Sequence, residues 1–139
     1  MTSTADIDLL QGAGLKATSP RTRILRILLR AKTPLSAYAI RALAEKQGET
    51  LAIPTIYRTI EAFEGAGLVH RHACDGGYTL CSHPKDIGLH GYLHCHDCGG
   101  TEEFVSSSLQ GVIEQEAKAR SFSASAPLLE IVGTCSRCS

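Results

Sequence analysis

The sequence of 139 residues lacks a long apolar run, a net charge of either sign and a basic leader. No apolar stretch approaches the roughly 18 residues that a membrane-spanning helix needs. The first ten residues, MTSTADIDLL, carry early acids and no basic segment, so we expect no signal peptide. A chain of this length accommodates one or two small domains, and we expect them to act in the cytoplasm.

The sequence also lacks the patterns of zinc enzymes. A catalytic zinc usually has three protein ligands and an open position, and zinc deaminases place a His-x-Glu before a Cys-x-x-Cys. No His-x-Glu occurs here, and neither a Ser/His/Asp set nor a glycine-rich phosphate loop is visible. A zinc-dependent hydrolase or deaminase is therefore disfavoured, and no catalytic residue is predicted.

What the chain does have is six cysteines, four of them in two matched knuckles: Cys95-His-Asp-Cys98 and Cys135-Ser-Arg-Cys138. Four thiolates satisfy a tetrahedral Zn²⁺ completely. The spacing therefore predicts a structural zinc at Cys95, Cys98, Cys135 and Cys138. Scattered reduced thiols and a redox pair are the alternatives, and the matched spacing disfavours both. The absence of a leader and the knuckle pattern indicate reduced thiols rather than a disulfide framework.

The net charge of zero conceals an asymmetry along the chain. Residues 1–72 contain ten Lys/Arg and six Asp/Glu, a net charge of +4, whereas residues 73–139 carry −4. Seven basic residues and no acid lie between Leu9 and Ala44. A basic half joined to an acidic, cysteine-rich half indicates a polyanion-binding part coupled to a sensor. A solvated basic face without a partner is the alternative reading of the charge.

The basic half predicts three helices followed by a hairpin, the pattern of a winged helix. A short segment at Asp6–Gly14 precedes them as a helix or as an arm that orders only on docking. The predicted segments are a helix from Ser19-Pro20 with Ile24, Leu25, Ile27, Leu28 and Leu29 on its buried side, a helix over about Ser36–Gln47, a helix from Pro54 to Gly65 or Gly67, and extended segments at Leu68–His72 and Gly77–Leu80.

The third of these helices has the face that a DNA-reading helix needs. Ile56, Ile60 and Phe63 form its apolar stripe, and small or hydrogen-bonding residues surround one arginine on the opposite side. Such a helix fits the major groove, and its arginine can bind a guanine edge with two hydrogen bonds. We predict contacts with double-stranded DNA from Thr55, Tyr57, Arg58, Thr59, Tyr38, Arg21 and Arg23.

The acidic half predicts a small sheet with one helix. The predicted elements are strands at Gly91–Cys95, Thr101–Val105 and Leu128–Val132, and a helix from about Ser106–Ser108 to Arg120 with Leu109, Val112, Ile113 and Ala117 on one side. A sheet with one helix in about 55 residues cannot bury both of its faces. We therefore expect this half to form a homodimer, which would also present two DNA-reading helices to two half-sites.

A second metal site is indicated where the two halves join. All six histidines lie between residues 70 and 96, and Cys81 and Glu103 are further ligand-type residues in this region. A site that draws ligands from both halves would set the angle between them. The spacing alone does not choose among the histidines.

Two motifs resemble those of the ferric uptake regulator (Fur) family. The segment Pro54-Thr55-Ile56-Tyr57-Arg58 is similar to the recognition-helix motif T-[VI]-Y-R of the family. The run from His90 to the first knuckle, with Glu103 after it, resembles the family's His-rich segment before its first Cys-x-x-Cys, and the second knuckle completes the match. Residues 68–81 look most like the zinc uptake regulators of this family.

The resemblance implies an α+β protein that is a dimeric, metal-dependent repressor and not an enzyme. Its parts would be a winged-helix DNA-binding domain at 1–80, a hinge at 81–89 and a small α/β dimerisation and metal-binding domain at 90–139. The implied function is zinc-responsive repression of zinc uptake and homeostasis genes, with an iron- or redox-responsive regulator of the same family as the alternative.

The resemblance also implies the metal ligands. Carried over, the regulatory zinc ligands are His70, Cys81, His90 and Glu103, so that each chain holds two zinc ions. Because a thiolate favours Zn²⁺ over Fe²⁺ or Mn²⁺, Cys81 points to zinc. His83 is the most plausible substitute ligand. Leu89 and Gly91 occupy positions where many members have ligands of an additional site, so we expect that third site to be absent. Tyr92 replaces another frequent histidine, so the regulatory site must recruit a ligand from elsewhere, which is consistent with Cys81.

Overall fold

A computed structural model describes residues 3–86, 88–124 and 128–139 of the chain. The chain divides into two compact units, Met1–Cys81 and Ser82–Ser139. The first unit contains four helices and a two-stranded antiparallel ribbon, and the second contains a three-stranded sheet and one helix. The predicted α+β class is confirmed.

The four helices of the first unit begin at residues that suit helix starts. Ser36 caps the third helix by accepting the backbone N–H of Ala39 at 3.1 Å. In the second helix Thr18 rather than Ser19 takes the N-cap position, so that Ser19 is the first helical residue and Pro20 lies in the first turn. The helices are α1 (Thr4–Gly12), α2 (Ser19–Arg30), α3 (Ala37–Lys46) and α4 (Ile53–Gly65).

The core of the first unit is built from one apolar face of each helix. Ile24, Ile40, Ile56 and Phe63 are fully buried in it, and α1 adds Leu10. The N-terminal segment is therefore a packed helix rather than an arm that waits for a docking partner. The prediction that Leu29 lies on the buried side of α2 is wrong, since its side chain is 53% exposed. Its position lies at the border of the apolar stripe of α2.

The two-stranded ribbon follows α4 directly. Strand β1 (Val69–Arg71) pairs antiparallel with β2 (Tyr78–Leu80), and His70 lies opposite Thr79. The turn between them is closed by the backbone N–H of Gly77, which donates to Oδ1 of Asp75 at 2.8 Å. Leu35 and Tyr78 exchange backbone hydrogen bonds of 3.0 and 2.8 Å, which ties the ribbon to the segment before α3. Three helices and this ribbon make the predicted winged helix.

The second unit is a sheet of order β4-β3-β5 with one helix between its last two strands. Its elements are β3 (Leu89–Cys95), β4 (Thr101–Ser106), α5 (Ser107–Ala119) and β5 (Leu128–Gly133). Strand β4 runs antiparallel to β3, whereas β5 runs parallel to it. Because β3 and β5 are parallel, their carboxyl ends lie at the same edge of the sheet. That arrangement brings the middle of the chain and its C-terminal segment together.

The second unit leaves much of its apolar surface uncovered. Among its described residues Leu89, Tyr92 and Cys95 are buried, whereas Leu109 and Val112 of α5 are exposed. The exposed side chains of Leu93 and Ile131 lie at paired positions of β3 and β5. Ile113 and Ala117, on the same predicted side of α5, are half-buried. An uncovered surface of this kind is the mark of an interface that a second chain covers.

Candidate metal centres and nucleic-acid interface

The four knuckle cysteines meet at the edge of the sheet where β3 and β5 end. Cys95 is the last residue of β3 and lies opposite Gly133 of β5, so that the tail after β5 reaches the first knuckle. The four sulfur atoms lie within 4.8 Å of one another, and those of Cys98 and Cys135 are 3.9 Å apart. Gly99 closes the first knuckle with a φ of +74°, which favours glycine. The structure thus brings all four predicted ligands together.

Backbone N–H groups point at these sulfur atoms. The N–H of Cys135 donates to Sγ of Cys95, and the N–H of Gly100 donates to Sγ of Cys98, both at 3.4 Å. The backbone N–H of Cys135, followed by that of Cys98, lowers the pKa of Cys95 to about 6. The thiol of Cys138 hydrogen-bonds to Cys135, which lowers the pKa of Cys135 and raises the pKa of Cys138 to about 12. Cys95 and Cys135 are thus the members of the cluster whose thiolate form is favoured.

This cluster fits a four-coordinate zinc ion. Four convergent thiols leave no open position, and backbone donors around the sulfur atoms are what a thiolate-bound cation requires. The ion would connect the β3–β4 turn to the residues after β5. Because zinc binds thiolates, its capture would release the protons that the thiols still hold.

The second unit also brings together His90 and Glu103. They lie on the paired strands β3 and β4, and Nδ1 of His90 is 3.2 Å from Oε1 of Glu103. The carboxylate of Glu103 is only 2% exposed. Its second oxygen accepts the backbone N–H of Ser82 and lies 3.7 Å from Nδ1 of His83. A buried carboxylate with two imidazole nitrogens nearby is a suitable ligand for a divalent cation.

The first unit brings together His70 and Cys81. His70 lies opposite Thr79 on the ribbon, and the N–H of Cys81 donates to the carbonyl of Leu68 at 2.7 Å. Since side chains alternate along a strand, Cys81, Thr79 and His70 share one face of the ribbon. Each unit therefore contributes one pair of the predicted regulatory ligands.

The outer face of α4 carries the predicted base-reading residues. Tyr57 and Arg58 are exposed, and Arg58 lies along its own helix with Nε 3.4 Å from the carbonyl of Pro54. The prediction that Thr59 lies on this outer face is wrong. Its side chain is 6% exposed, and its hydroxyl donates to the carbonyl of Thr55 at 2.9 Å. Thr59 sits one turn after Thr55 at the border of the apolar stripe, where the packing of α4 buries it.

An open notch of about 210 Å³ lies between the first turns of α2 and α4. The N-termini of both helices carry partial positive charge, and two guanidinium groups stand at the rim. Arg21 is held there by a hydrogen bond of 3.0 Å from Nη1 to the carbonyl of Lys16. The notch is therefore suited to a phosphate of the DNA backbone. Its lining residues are Thr18, Pro20, Arg21, Thr55, Arg58 and Thr59.

The two remaining residues that were predicted to contact DNA differ in how accessible their side chains are. Tyr38 is 60% exposed on α3, with the guanidinium of Arg41 5.5 Å from its ring centre. Arg23 is half-buried, and its Nε lies 3.4 Å from a carboxylate oxygen of Glu49. An Arg23 contact with phosphate would have to compete with this ion pair.

Comparison with known proteins decides the family. The model of the Ferric uptake regulator family matches residues 12–132. The chain belongs to that family. A ferric uptake regulation protein from Legionella pneumophila is 37% identical over 134 residues, which cover 93% of this chain and 95% of the relative.

Two solved structures are similar over nearly their whole length. The crystal structure of holo XcZur has a TM-score of 0.84 and 26% identity, with coverage of 97% of both chains. A zinc uptake regulator complexed with zinc and DNA has a TM-score of 0.84 and 22% identity, with coverage of 97% of this chain and 95% of the other. At the second identity the likeness concerns the fold alone.

Membership of the ferric uptake regulator family settles the general activity of the chain. It is a metal-responsive, DNA-binding transcription regulator that works as a dimer, and it is not an enzyme. Within the described ranges, none of the helices is long and apolar enough to cross a membrane.

Several features of this Fur-family chain lay beyond the sequence signals. The Fur motifs say nothing of Thr18 in the notch, or of the approach of His83 to Glu103. Phe104 lies over Gly91, where an added Cβ would come within 2.3 Å of the ring. Strand pairing of β3 with β4 places these two residues opposite each other, but the sequence did not reveal that register.

Proposed function

We propose that this Fur-family chain is a zinc-responsive repressor of genes for zinc uptake and homeostasis. The observation that carries the proposal is the pair His70 and Cys81 on one face of the ribbon. This pair places a cysteine sulfur on the same face as an imidazole, and soft thiolate ligands select zinc over iron or manganese. The chain would act in the cytoplasm, where DNA and reduced thiols occur together.

Each chain would hold two zinc ions with different roles. Cys95, Cys98, Cys135 and Cys138 would hold a structural zinc, because four thiolates close the coordination sphere and make exchange slow. His70, Cys81, His90 and Glu103 would hold the regulatory zinc. That ion would draw its ligands from both units. The third metal site of the family remains predicted to be absent, and the ring of Phe104 over Gly91 is in keeping with that prediction.

The DNA-binding part of the proposal assigns different roles to the exposed residues. Tyr57 and Arg58 would face base edges in the major groove, and Thr55 and Arg21 would hold a phosphate at the notch. Tyr38 would contact the backbone from α3. Arg23 would contribute mainly charge while it is paired with Glu49. Thr59 would act only through packing, since its hydroxyl is satisfied within α4.

An iron-responsive regulator is the second candidate. The observation that favours it is the name of the Legionella pneumophila relative, a ferric uptake regulation protein. Ligand chemistry opposes it, because iron and manganese sites prefer imidazole and carboxylate ligands to a thiolate. The two candidates differ in the metal that fills the site containing Cys81.

Metal counting and operator binding separate these candidates. Protein purified without chelators should contain two zinc ions per chain, and its affinity for its operator duplex should rise with buffered free Zn²⁺. Cys81→Ser should abolish that rise while the structural zinc stays bound. Cys74→Ser is the matched control, because it removes a thiol that lies outside both predicted ligand sets and should leave the rise unchanged.

One zinc plus one iron per chain would support the iron-responsive candidate. Operator affinity that is unchanged after Cys81→Ser would remove the sensor role of this thiol. A redox-responsive regulator would instead lose operator binding on treatment with an oxidant at constant metal content.

A further inference from the structure

The carboxylate of Glu103 is approached by two histidines, although the motif accounts for only one. Nδ1 of His90 lies 3.2 Å from Oε1, and Nδ1 of His83 lies 3.7 Å from Oε2. The backbone N–H of Ser82 donates to Oε2 as well. All four residues belong to the second unit, so this cluster is formed without any residue of the winged helix.

The environment of His83 suits a metal ligand. Its Nδ1 is shielded from solvent and has no hydrogen-bond partner among the residues that the structure describes. A cation that bonds to both the shielded nitrogen and the nearby carboxylate would satisfy both groups. The side chain of His83 is 43% exposed overall. The ring therefore has room to turn its nitrogen toward the same point as His90.

We infer that His83, His90 and Glu103 form a Zn²⁺ site within the second unit, in which His83 is a ligand that the family motif does not assign. This inference rests on the proposed regulatory zinc, because it shares His90 and Glu103 with that ligand set. Two imidazoles and one carboxylate are three protein ligands, which leave one position of a tetrahedral zinc open. A site of this kind exchanges its metal readily, whereas the four-cysteine site is closed.

The open position gives the cluster a place in metal capture. His83, His90 and Glu103 would bind zinc first, and Cys81 and His70 would then displace His83 to complete the regulatory set. The sulfur-free set also discriminates less between Zn²⁺ and Fe²⁺ than the set with Cys81 does. Selectivity for zinc would therefore arise only when the thiolate binds.

The test removes the thiolate first and His83 second. Full-length Cys81→Ser should still bind two Zn²⁺ ions per chain, measured by mass spectrometry and by competition with a chelator, with weaker affinity for the second ion. Adding His83→Gln should lower the affinity for this second Zn²⁺ ion by a further ~10- to 100-fold, which is the typical effect of changing a group around a metal. Adding Lys85→Gln instead should change nothing, since Lys85 is an exposed residue of the same segment.

Equal affinity of Cys81→Ser with and without His83→Gln would overturn the inference. A second measurement keeps His83 intact, so that misfolding of a His83 variant cannot mislead. Zn²⁺ added to Cys81→Ser should shift the imidazole ¹⁵N resonances of His83. Resonances that do not shift would also overturn the inference. A wild-type chain that takes up only one zinc would contradict the proposed function as well. Two zinc ions in the wild type with no effect of His83 would contradict this inference alone.

Discussion

At the scale of single residues, Arg58 carries the base-reading part of the proposal. Its guanidinium is exposed on α4, and its Nε lies 3.4 Å from the carbonyl of Pro54 in its own helix. Such a long contact is weak and is easily exchanged for a guanine edge. Of the arginines predicted to touch DNA, Arg23 is held instead by a carboxylate and Arg21 by the carbonyl of Lys16.

Arg58→Ala should therefore weaken binding to the operator by about 1–3 kcal/mol and reduce discrimination between operator and mutated operator. Fluorescence anisotropy with both duplexes at fixed salt measures this. Arg120→Ala is the matched control, because it removes the same charge from exposed α5, where the guanidinium pairs with Glu116. Equal losses in the two variants would mean that Arg58 contributes only long-range charge.

Asp6 is a second residue whose environment gives a sharp expectation. The hydrogen bond from Nε of Arg26, 3.0 Å long, holds the pKa of this carboxyl below its usual value. The same carboxylate accepts the backbone N–H of Ser3 and so caps α1. A lowered pKa in the folded chain means that the ionised carboxylate stabilises the fold above about pH 4.

Asp6→Asn should lower the free energy of unfolding by about 1 kcal/mol at pH 7. The deficit should shrink as the pH falls below about 4 and should disappear once the wild-type carboxyl is protonated. Urea unfolding at several pH values measures it. Asp8→Asn, on the exposed side of α1, is the control. Any loss of metal at low pH would affect both variants equally and so would not contribute to the difference between them. A deficit that does not depend on pH would exclude the ion pair as its source.

At the scale of elements, the pairing of β3 with β4 depends on the lack of a side chain at Gly91. The ring of Phe104 covers this glycine from the opposite strand, and a Cβ would come within 2.3 Å of it. Gly133 of β5, in contrast, has open space where a Cβ would be. The two glycines thus have different reasons to be there.

Gly91→Ala should destabilise the second unit by about 1–3 kcal/mol, because the ring of Phe104 must leave its position. Gly133→Ala should have little effect and is the matched control in a strand. Thermal unfolding of both variants tests the difference. If Gly91→Ala is harmless, the ring moves freely; Gly91→Ala combined with Phe104→Leu should regain part of the lost stability.

At the scale of the whole molecule, the two units differ in how they are stabilised. The first has a core of fully buried aliphatic and aromatic side chains contributed by all four helices. The second has few buried residues among those described, and several of its apolar side chains are exposed, including Leu93 of β3, Ile131 of β5 and Val112 of α5. We therefore expect much of its stability to come from the proposed structural zinc and from the partner chain.

Removal of the proposed structural zinc should lower the unfolding temperature of the second unit more than that of the first. Cys138→Ser should lose that zinc and weaken the dimer, with the unfolding of the second unit shifted to lower temperature and that of the first nearly unchanged. Calorimetry, sedimentation and metal analysis measure these three effects, and Cys74→Ser is the control for loss of a thiol. A single transition that moves as a whole would show that the units unfold together.

Local patterns in the sequence were enough for much of this protein. Helix starts at Ser36, the apolar stripe of α4 and the turn at Asp75–Gly77 depend on near neighbours, so their periods and turn residues predicted the elements within a few positions. The spacing of Cys95, Cys98, Cys135 and Cys138 predicted that these four thiols converge, since tetrahedral coordination by thiolates requires such pairs, and the zinc itself stays a prediction. The regulatory ligands needed the family resemblance, and their joint role stays a prediction.

Tertiary structure alone decided what depends on contacts between distant segments. Thr59 and Leu29 each lie at the border of an apolar stripe, where the neighbouring helices determine which side chain is covered. The ring of Phe104 over Gly91 and the approach of His83 to Glu103 follow from strand register and chain path. Sequence periodicity carries no information on either, because it records which face a residue occupies and not what lies opposite that face.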